Sequence, residues 1–223
     1  MTTADGGADL PRWGGVTEPM TVATNAVLAG LAFVLAVRLA QRAVAEGSVA
    51  GGLLAAAFVA TGIAALVGAL AHGTDPGGGA VLRAQFWRGA LYTTGLVGAA
   101  TVASVAFFAA RGNMRTAILA FAGIKLVVFA RRVARRPEFR IAAADYGVAL
   151  AILFLGAAYE MVRRRAPGMA WLIAGVLVSL AAGIVQARRL ALHRHFNHND
   201  LYHVIQMAAL YAFYRGGALL VDR

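Results

Sequence analysis

Seven stretches of mainly apolar residues, separated by short polar punctuation, dominate the chain. They cover about residues 19–40, 50–72, 86–110, 115–131, 141–162, 168–187 and 201–221. Each approaches the roughly 17 to 25 residues that a helix needs to cross a bilayer. The strands of a membrane barrel would instead alternate apolar and polar residues over about ten positions. In hydrocarbon, a continuously apolar run satisfies its backbone polar groups only as a helix. The pattern therefore predicts an all-α polytopic membrane protein, a seven-transmembrane helix bundle. It forms one domain over residues 18–223, preceded by a Gly-, Asp- and Thr-rich flexible tail over 1–17. The fourth run is the shortest, bounded by Arg115 and Arg131 and interrupted by Lys125. Ala45–Ser48, Gly73–Gly79 and Gly112–Asn113 read as turns.

Composition agrees with a lipid solvent. Apolar residues make up 60% of the chain and charged residues only 14%, against about a quarter charged in a soluble domain. Mean hydropathy is +0.69. The 26 glycines suit close helix approach in membranes. The net charge of +11 arises from 20 arginines and one lysine. Most of the arginines fall in short loops between apolar runs, which points to anionic head groups of membrane lipids and away from nucleic acid. There are no cysteines, so disulfide and thiolate chemistry are excluded. The first apolar run is long and lacks a strong basic leader, unlike a cleaved signal peptide.

If all seven runs cross, odd runs begin, and even runs end, at the face that holds the N-terminus, here called proximal. Arginines are shared between the two faces, so their count does not settle orientation. The polar residues are distributed otherwise. Glu18, Thr21 and Asn25 open the first run, His72, Thr74 and Asp75 close the second, and Gln85 and Arg88 open the third. Asp145 and Tyr146 lie early in the fifth, Gln186 ends the sixth, and HRHFNHNDLYHVIQ (193–206) leads into the seventh. All five histidines thus fall at one membrane depth. Ionisable groups at such depth usually face a bundle interior or a wet cavity.

Helical phase groups them further. Glu18, Thr21 and Asn25 share a face at i, i+3, i+7, and Asn199, His203 and Gln206 share another at i, i+4, i+7. Asp200 lies three residues before His203. His198 lies five before it, about 140° away on an ideal helix, and reaches His203 only if the helix starts later or is distorted. His72 and His203 with a carboxylate or a third imidazole would suit catalytic Zn²⁺, which takes three protein ligands and leaves a position for water. Its bound water is a nucleophile near neutral pH. No HExxH and no i, i+4 histidine pair is present.

Simpler roles compete. His72 at a helix C-terminus complements the helix dipole, and His203 can serve a structural hydrogen bond. Asp200 can be a cap of the seventh helix. Asn25 reads as interhelical glue, and Glu160 as an interfacial partner of Arg163 and Arg164. His193 and His195 read as solvated or head-group contacts, and Trp13, Trp87 and Tyr202 as interfacial anchors.

TEPMTVATN (17–25), ALVGALAHGT (65–74) and NDLYHVIQ (199–206) together resemble the CREST-like seven-span superfamily of alkaline ceramidases, progestin and adiponectin receptors and GPI-anchor-remodelling membrane hydrolases. The resemblance implies Zn²⁺ held by histidines and hydrolysis of lipid amide or ester bonds. His72 matches the zinc ligand of the second span and His203 the second ligand of the last. Glu18 and Asn25 match the pattern of the first span. The family serine of the second span is replaced by Gly68, the first histidine of the last span falls on Asn199, and the third span has no aspartate. HFNHNDLYHVIQ also resembles a stretch in uncharacterised bacterial membrane proteins, so the expected location is the bacterial inner (plasma) membrane.

The leading expectation is a zinc-dependent integral-membrane hydrolase of a lipid-like substrate. His72, His198 and His203 bind metal, with Asp200 or Asp145 as substitutes for a missing ligand. His72, His203 and Asp200 form the catalytic set, and Glu18, Asn25 and Asn199 orient cofactor or substrate. The main alternative is a non-enzymatic lipid-binding or sensing protein on the same scaffold. A transporter would place polar groups through the full membrane depth, whereas the distal half of most runs is apolar. A retinal protein would need a lysine in the last span, and Lys125 in the fourth run is the chain's sole lysine.

Overall fold

The computed structural model describes residues 12–193 and 195–223. The first eleven residues of the expected tail lie outside the described residues. The rest of that stretch forms a small antiparallel hairpin, β1 (Arg12–Trp13) against β2 (Val16–Thr17). Gly14 and Gly15 turn it with φ of 54° and 83°, the left-handed pair that a two-residue hairpin loop requires.

Among the described residues seven helices follow: α1 Pro19–Glu46, α2 Val49–Gly73, α3 Ala80–Ala109, α4 Gly112–Arg135, α5 Phe139–Arg164, α6 Met169–Arg188 and α7 His198–Gly217. Local sequence accounts for their ends. Pro19 occupies the first helical turn of α1, where its missing N–H costs nothing. Gly47 ends α1 in the left-handed conformation. The Ser48 hydroxyl caps α2 by accepting from the Gly51 N–H at 3.0 Å.

Five helices, α1, α2, α3, α5 and α6, are long and apolar enough to cross a membrane, which marks an integral membrane protein. Lys125 and its terminal arginines make α4 too polar by that measure, and His198, Asp200 and His203 do the same for α7.

Six helices close a ring in which α1 packs on α2, α2 on α3, α3 on α5, α5 on α6, α6 on α7 and α7 on α1. The fourth helix stands outside it, against α3 and more lightly α5. Leu28, Leu35 and Leu39 of α1 point into the ring with Phe58, Leu153, Leu172 and Phe213. Val27, Val34 and Val37 on the same helix are more than half exposed, as a lipid-facing stripe requires. The interior holds a cavity of about 20 Å³ lined by Thr61, Thr101 and Tyr146 among apolar residues, room for about one water.

A buried ion pair ties α4 to the ring. Lys125 Nζ stands 2.5 Å from Asp145 Oδ2 of α5, both side chains under a tenth exposed. A Cβ at Gly98 of α3 would come within 2.9 Å of that nitrogen and 3.0 Å of that oxygen, so the glycine makes room for the pair. A buried lysine is tolerated when a carboxylate pairs with it.

The segment after α7 closes the distal end. Asp222 accepts from the Val49 and Ala50 N–H groups at 2.8 Å each, serving the orphan donors of α2. Arg223 reaches Glu160 of α5 at 2.5 Å. The expected Glu160 pairing thus changes. Arg164 contributes at 3.8 Å, but the closer partner comes from far along the chain.

Candidate functional site

The proximal cluster starts at a short sequence, Thr17-Glu18-Pro19. Thr17 is fully buried, and its hydroxyl donates to the carbonyls of His72 and Thr74, two acceptors that the C-terminus of α2 leaves without helical partners. That clasp holds β2 over the end of α2. Glu18 follows with φ 48° and ψ 54°, a left-handed conformation rare for a residue with a Cβ. It precedes a proline, which normally drives the backbone extended. As N-cap of α1 it makes no side-chain capping bond, because its carboxylate is engaged elsewhere.

Glu18 Oε2 lies 3.0 Å from His72 Nδ1, and Oε1 accepts from Arg83 Nη2 of α3 at 3.2 Å. Nη1 of Arg83 donates to the Thr74 carbonyl at 3.1 Å. All three side chains are largely buried, at 7% exposed for Glu18, 16% for His72 and 12% for Arg83. Burial alone would raise the Glu18 carboxyl. The hydrogen bonds and charges of His72 and Arg83 together outweigh it and hold the carboxyl below its ordinary 4.5. The His72 ring meets Trp87 edge to face, with centroids 6.4 Å apart. The Trp87 indole N–H donates to the Pro137 carbonyl at 2.8 Å, which fastens the α4–α5 turn to the same cluster.

One to two turns along α1, Thr24 meets α7. Asn197 and Asp200 form a capping box. The Asn197 side chain accepts from the Asn199 N–H at 2.7 Å, and Asp200 Oδ2 accepts from the Asn197 N–H at 2.8 Å. The other oxygen of Asp200, which is fully buried, accepts from the Thr24 hydroxyl at 3.4 Å. His203 Nδ1 lies 3.0 Å from the same hydroxyl. A hydroxyl has one proton to give, and the Thr21 carbonyl at 3.2 Å competes with Asp200 for it, so the His203 contact is satisfied when His203 carries its proton on Nδ1 and donates to Thr24.

Placement of the expected site residues is mixed. His72 and His203 lie at one end of the bundle, bridged by α1 through Glu18 and Thr24. Asp200 joins them through Thr24, in the capping role weighed as its simpler reading. Asn25 does not bridge helices by hydrogen bond: its amide donates to the Thr21 carbonyl one turn back, at 3.0 Å. A Cβ at Gly68 would stand 3.4 Å from Asn25 Oδ1, in ordinary contact, so Asn25 packs against the α2 position where the resembling family has its serine.

The face expected to join Asn199, His203 and Gln206 divides. Asn199 accepts from Gln186 of α6 at 2.8 Å, and Gln206 from Ser179 of α6 at 3.1 Å, while His203 turns to α1. Asp145 is paired with Lys125. Tyr202 is a half-buried partner of Gln206, which donates to its hydroxyl at 3.2 Å, rather than a free interfacial anchor. His193 sits exposed in the loop before α7, its ring 5.3 Å from that of His195. Sequence reasoning missed Arg83, Thr24 and Asn197. The only signal for Thr24 is its place inside TEPMTVATN.

The donor set does not fit catalytic zinc. The last helix begins at His198 and is regular, so its ring departs about 140° from that of His203. Both oxygens of Asp200 are engaged, and His72 and His203 hold protein partners through Nδ1, an arrangement that zinc-binding histidines share, so the misfit lies in the missing third ligand. Among the described residues no group of three or more histidines and carboxylates is arranged to hold a metal ion.

No curated protein matches the chain, and no solved structure does. One family signature matches residues 20–222, nearly the whole helical region. The chain belongs to that family, described as a family of unknown function (DUF6962).

Proposed function

We propose that the chain is a seven-span membrane protein that binds and senses a lipid-like amphiphile through its proximal polar cluster, without hydrolysing it. The helices α4 and α7, of 24 and 20 residues, are about 36 and 30 Å long, enough to cross with the other five. Their polar groups are answered within the bundle, Lys125 by Asp145 and Asp200 by Thr24 and its own cap, which lowers the cost of their low hydropathy. The observation that carries the binding reading is the commitment of Glu18, His72, Asp200 and His203 to protein partners instead of to one common point. Such a cluster is a clasp between α1 and its neighbours, and a polar head group acts on it by competing for its bonds. Exposed apolar side chains around the ring supply the surface along which an alkyl chain lies.

The test is mass spectrometry of the purified protein for retained lipid, with metal analysis and a lipid amide and ester cleavage assay on the same sample. Bound lipid, no turnover, and lipid binding that survives His203→Ala are the expected results. A second reading, the zinc-dependent lipid amidase or esterase that the family resemblance implies, is favoured by the shared location of His72 and His203. One zinc per chain, with cleavage lost in both His72→Ala and His203→Ala, would replace the sensor by the hydrolase.

A further inference from the structure

We infer that Glu18 is a built-in competitor for the ligand, and that the ligand carries an anionic head, a carboxylate or a phosphate, which takes the place of the Glu18 carboxylate between Arg83 and His72. This rests on the lipid-binding reading and names the ligand's chemistry.

Backbone conformation makes the first part of the case. Three non-glycine residues among those described have positive φ: Glu18, Arg165 and Arg189. The two arginines are helix C-caps, where the left-handed conformation is usual. Glu18 is an N-cap, where extended backbone is the rule, and the helix has no use for its φ of 48°. What holds it there is the bridge from its two oxygens to His72 and Arg83. Strain kept in place by a few polar contacts is released when those contacts are replaced.

Receptor chemistry makes the second part. A guanidinium fork beside an imidazole is matched to a carboxylate or phosphate. An incoming anion offers the same acceptors that Glu18 now supplies and frees residue 18 to become extended. The surroundings select an amphiphile. Val16 and Met20 on either side of Glu18, and Val81 and Leu82 before Arg83, are exposed apolar side chains. An anion seated at Arg83 therefore has apolar surface for a tail beside it.

Trp87, in edge contact with His72, is a reporter. In the full chain with Trp13→Phe and Trp171→Phe, its fluorescence is titrated with oleate, 1-oleoyl lysophosphatidate, neutral 1-oleoylglycerol, acetate and inorganic phosphate. Glu18→Gln should bind the two anionic amphiphiles at least tenfold more tightly than the parent. Glu18→Asn, which tolerates left-handed backbone, should show the same gain, and Arg83→Gln should abolish it. The neutral lipid should gain nothing. Unchanged or weaker binding in both folded Glu18 variants overturns the inference, as does an equal gain for the neutral lipid. Saturation by acetate or phosphate alone makes the site one for free anions and overturns the amphiphile. Retained lipid without a Glu18 effect defeats this inference alone, whereas zinc-dependent cleavage defeats the reading beneath it.

Discussion

Glu18 and Glu160 are both buried and each meets two basic side chains, at opposite ends of the bundle, yet they are built differently. Glu160 sits inside the regular helix α5 with ordinary backbone. Its partners, Arg223 and Arg164, carry permanent charge. Arg223 is further fixed by its own N–H on the Phe107 carbonyl at 3.0 Å, by Nη1 on the Ala109 carbonyl at 3.2 Å, and by stacking over Tyr159. Its 2.5 Å contact with Glu160 is electrostatic in character, since neither Glu160 Oε1 nor Arg223 Nη2 meets hydrogen-bond geometry. Glu18 sits outside its helix in a left-handed conformation, and one of its partners is a histidine. The distal arrangement is a closure with no strain to release. The proximal one holds a left-handed residue and, in the reading proposed above, presents groups that a ligand can engage. A buried charge cluster is therefore a candidate site because its parts can be exchanged, not because it is charged.

The largest expected effect is at the distal end. Glu160→Ala leaves the Arg223 guanidinium buried without its carboxylate, and removing one partner of a buried pair costs about 3–5 kcal/mol. Thermal melting of the detergent-solubilised variant measures it, and a loss no greater than that of Glu18→Ala would erase the contrast between the ends. For Glu18→Ala the expected net loss is about 1–2 kcal/mol. The lost charge-assisted hydrogen bonds outweigh the incomplete relief that alanine gives, since its Cβ still resists a left-handed backbone. Glycine at the same position adopts that backbone freely, so Glu18→Gly should melt above Glu18→Ala, by about 1 kcal/mol. Equal melting would show that, without the bridge, residue 18 no longer holds the left-handed conformation.

Acid should separate wild type from Glu18→Gln. The folded Glu18 carboxyl is held below its ordinary value, so its contribution is complete above pH 4.5 and is lost as pH falls through the depressed folded value. Melting curves from pH 6 downward should fall more steeply for wild type than for Glu18→Gln, and parallel curves would contradict the bridge. Asp200→Ala removes one half of the α7 capping box, with an expected loss of about 1 kcal/mol. A much larger loss would show that Thr24 and His203 depend on it beyond capping. The smallest effect belongs to Arg164→Gln. That side chain is half exposed and 3.8 Å from Glu160, so the change should fall under about 1 kcal/mol, and the gap between it and Glu160→Ala isolates Arg223.

Helices and their ends were legible because they are local. Apolar run length sets where a helix can lie in lipid, and Pro19, Gly47 and Ser48 punctuate the first two. The proximal position of Glu18, His72 and His203 was legible too, since counting runs places them at one end. The partners were not. Asp145 answers Lys125 across 20 residues, and Arg223 answers Glu160 from beyond α7. Neither pairing follows from the spacing within a single run. Phase along α7 grouped Asn199, His203 and Gln206, but the neighbours on its two sides, α6 and α1, divided them.

What the sequence by itself determined is a set of apolar helices with ionisable groups concentrated toward one end, because both follow from runs of residues read in order. Only the tertiary structure decided that α4 stands outside the ring, that Arg83 and His72 share Glu18, and that among the described residues no three histidines and carboxylates converge. Those outcomes depend on how each helix is rotated about its axis and which helix stands beside it. Packing of side chains from distant parts of the chain sets both.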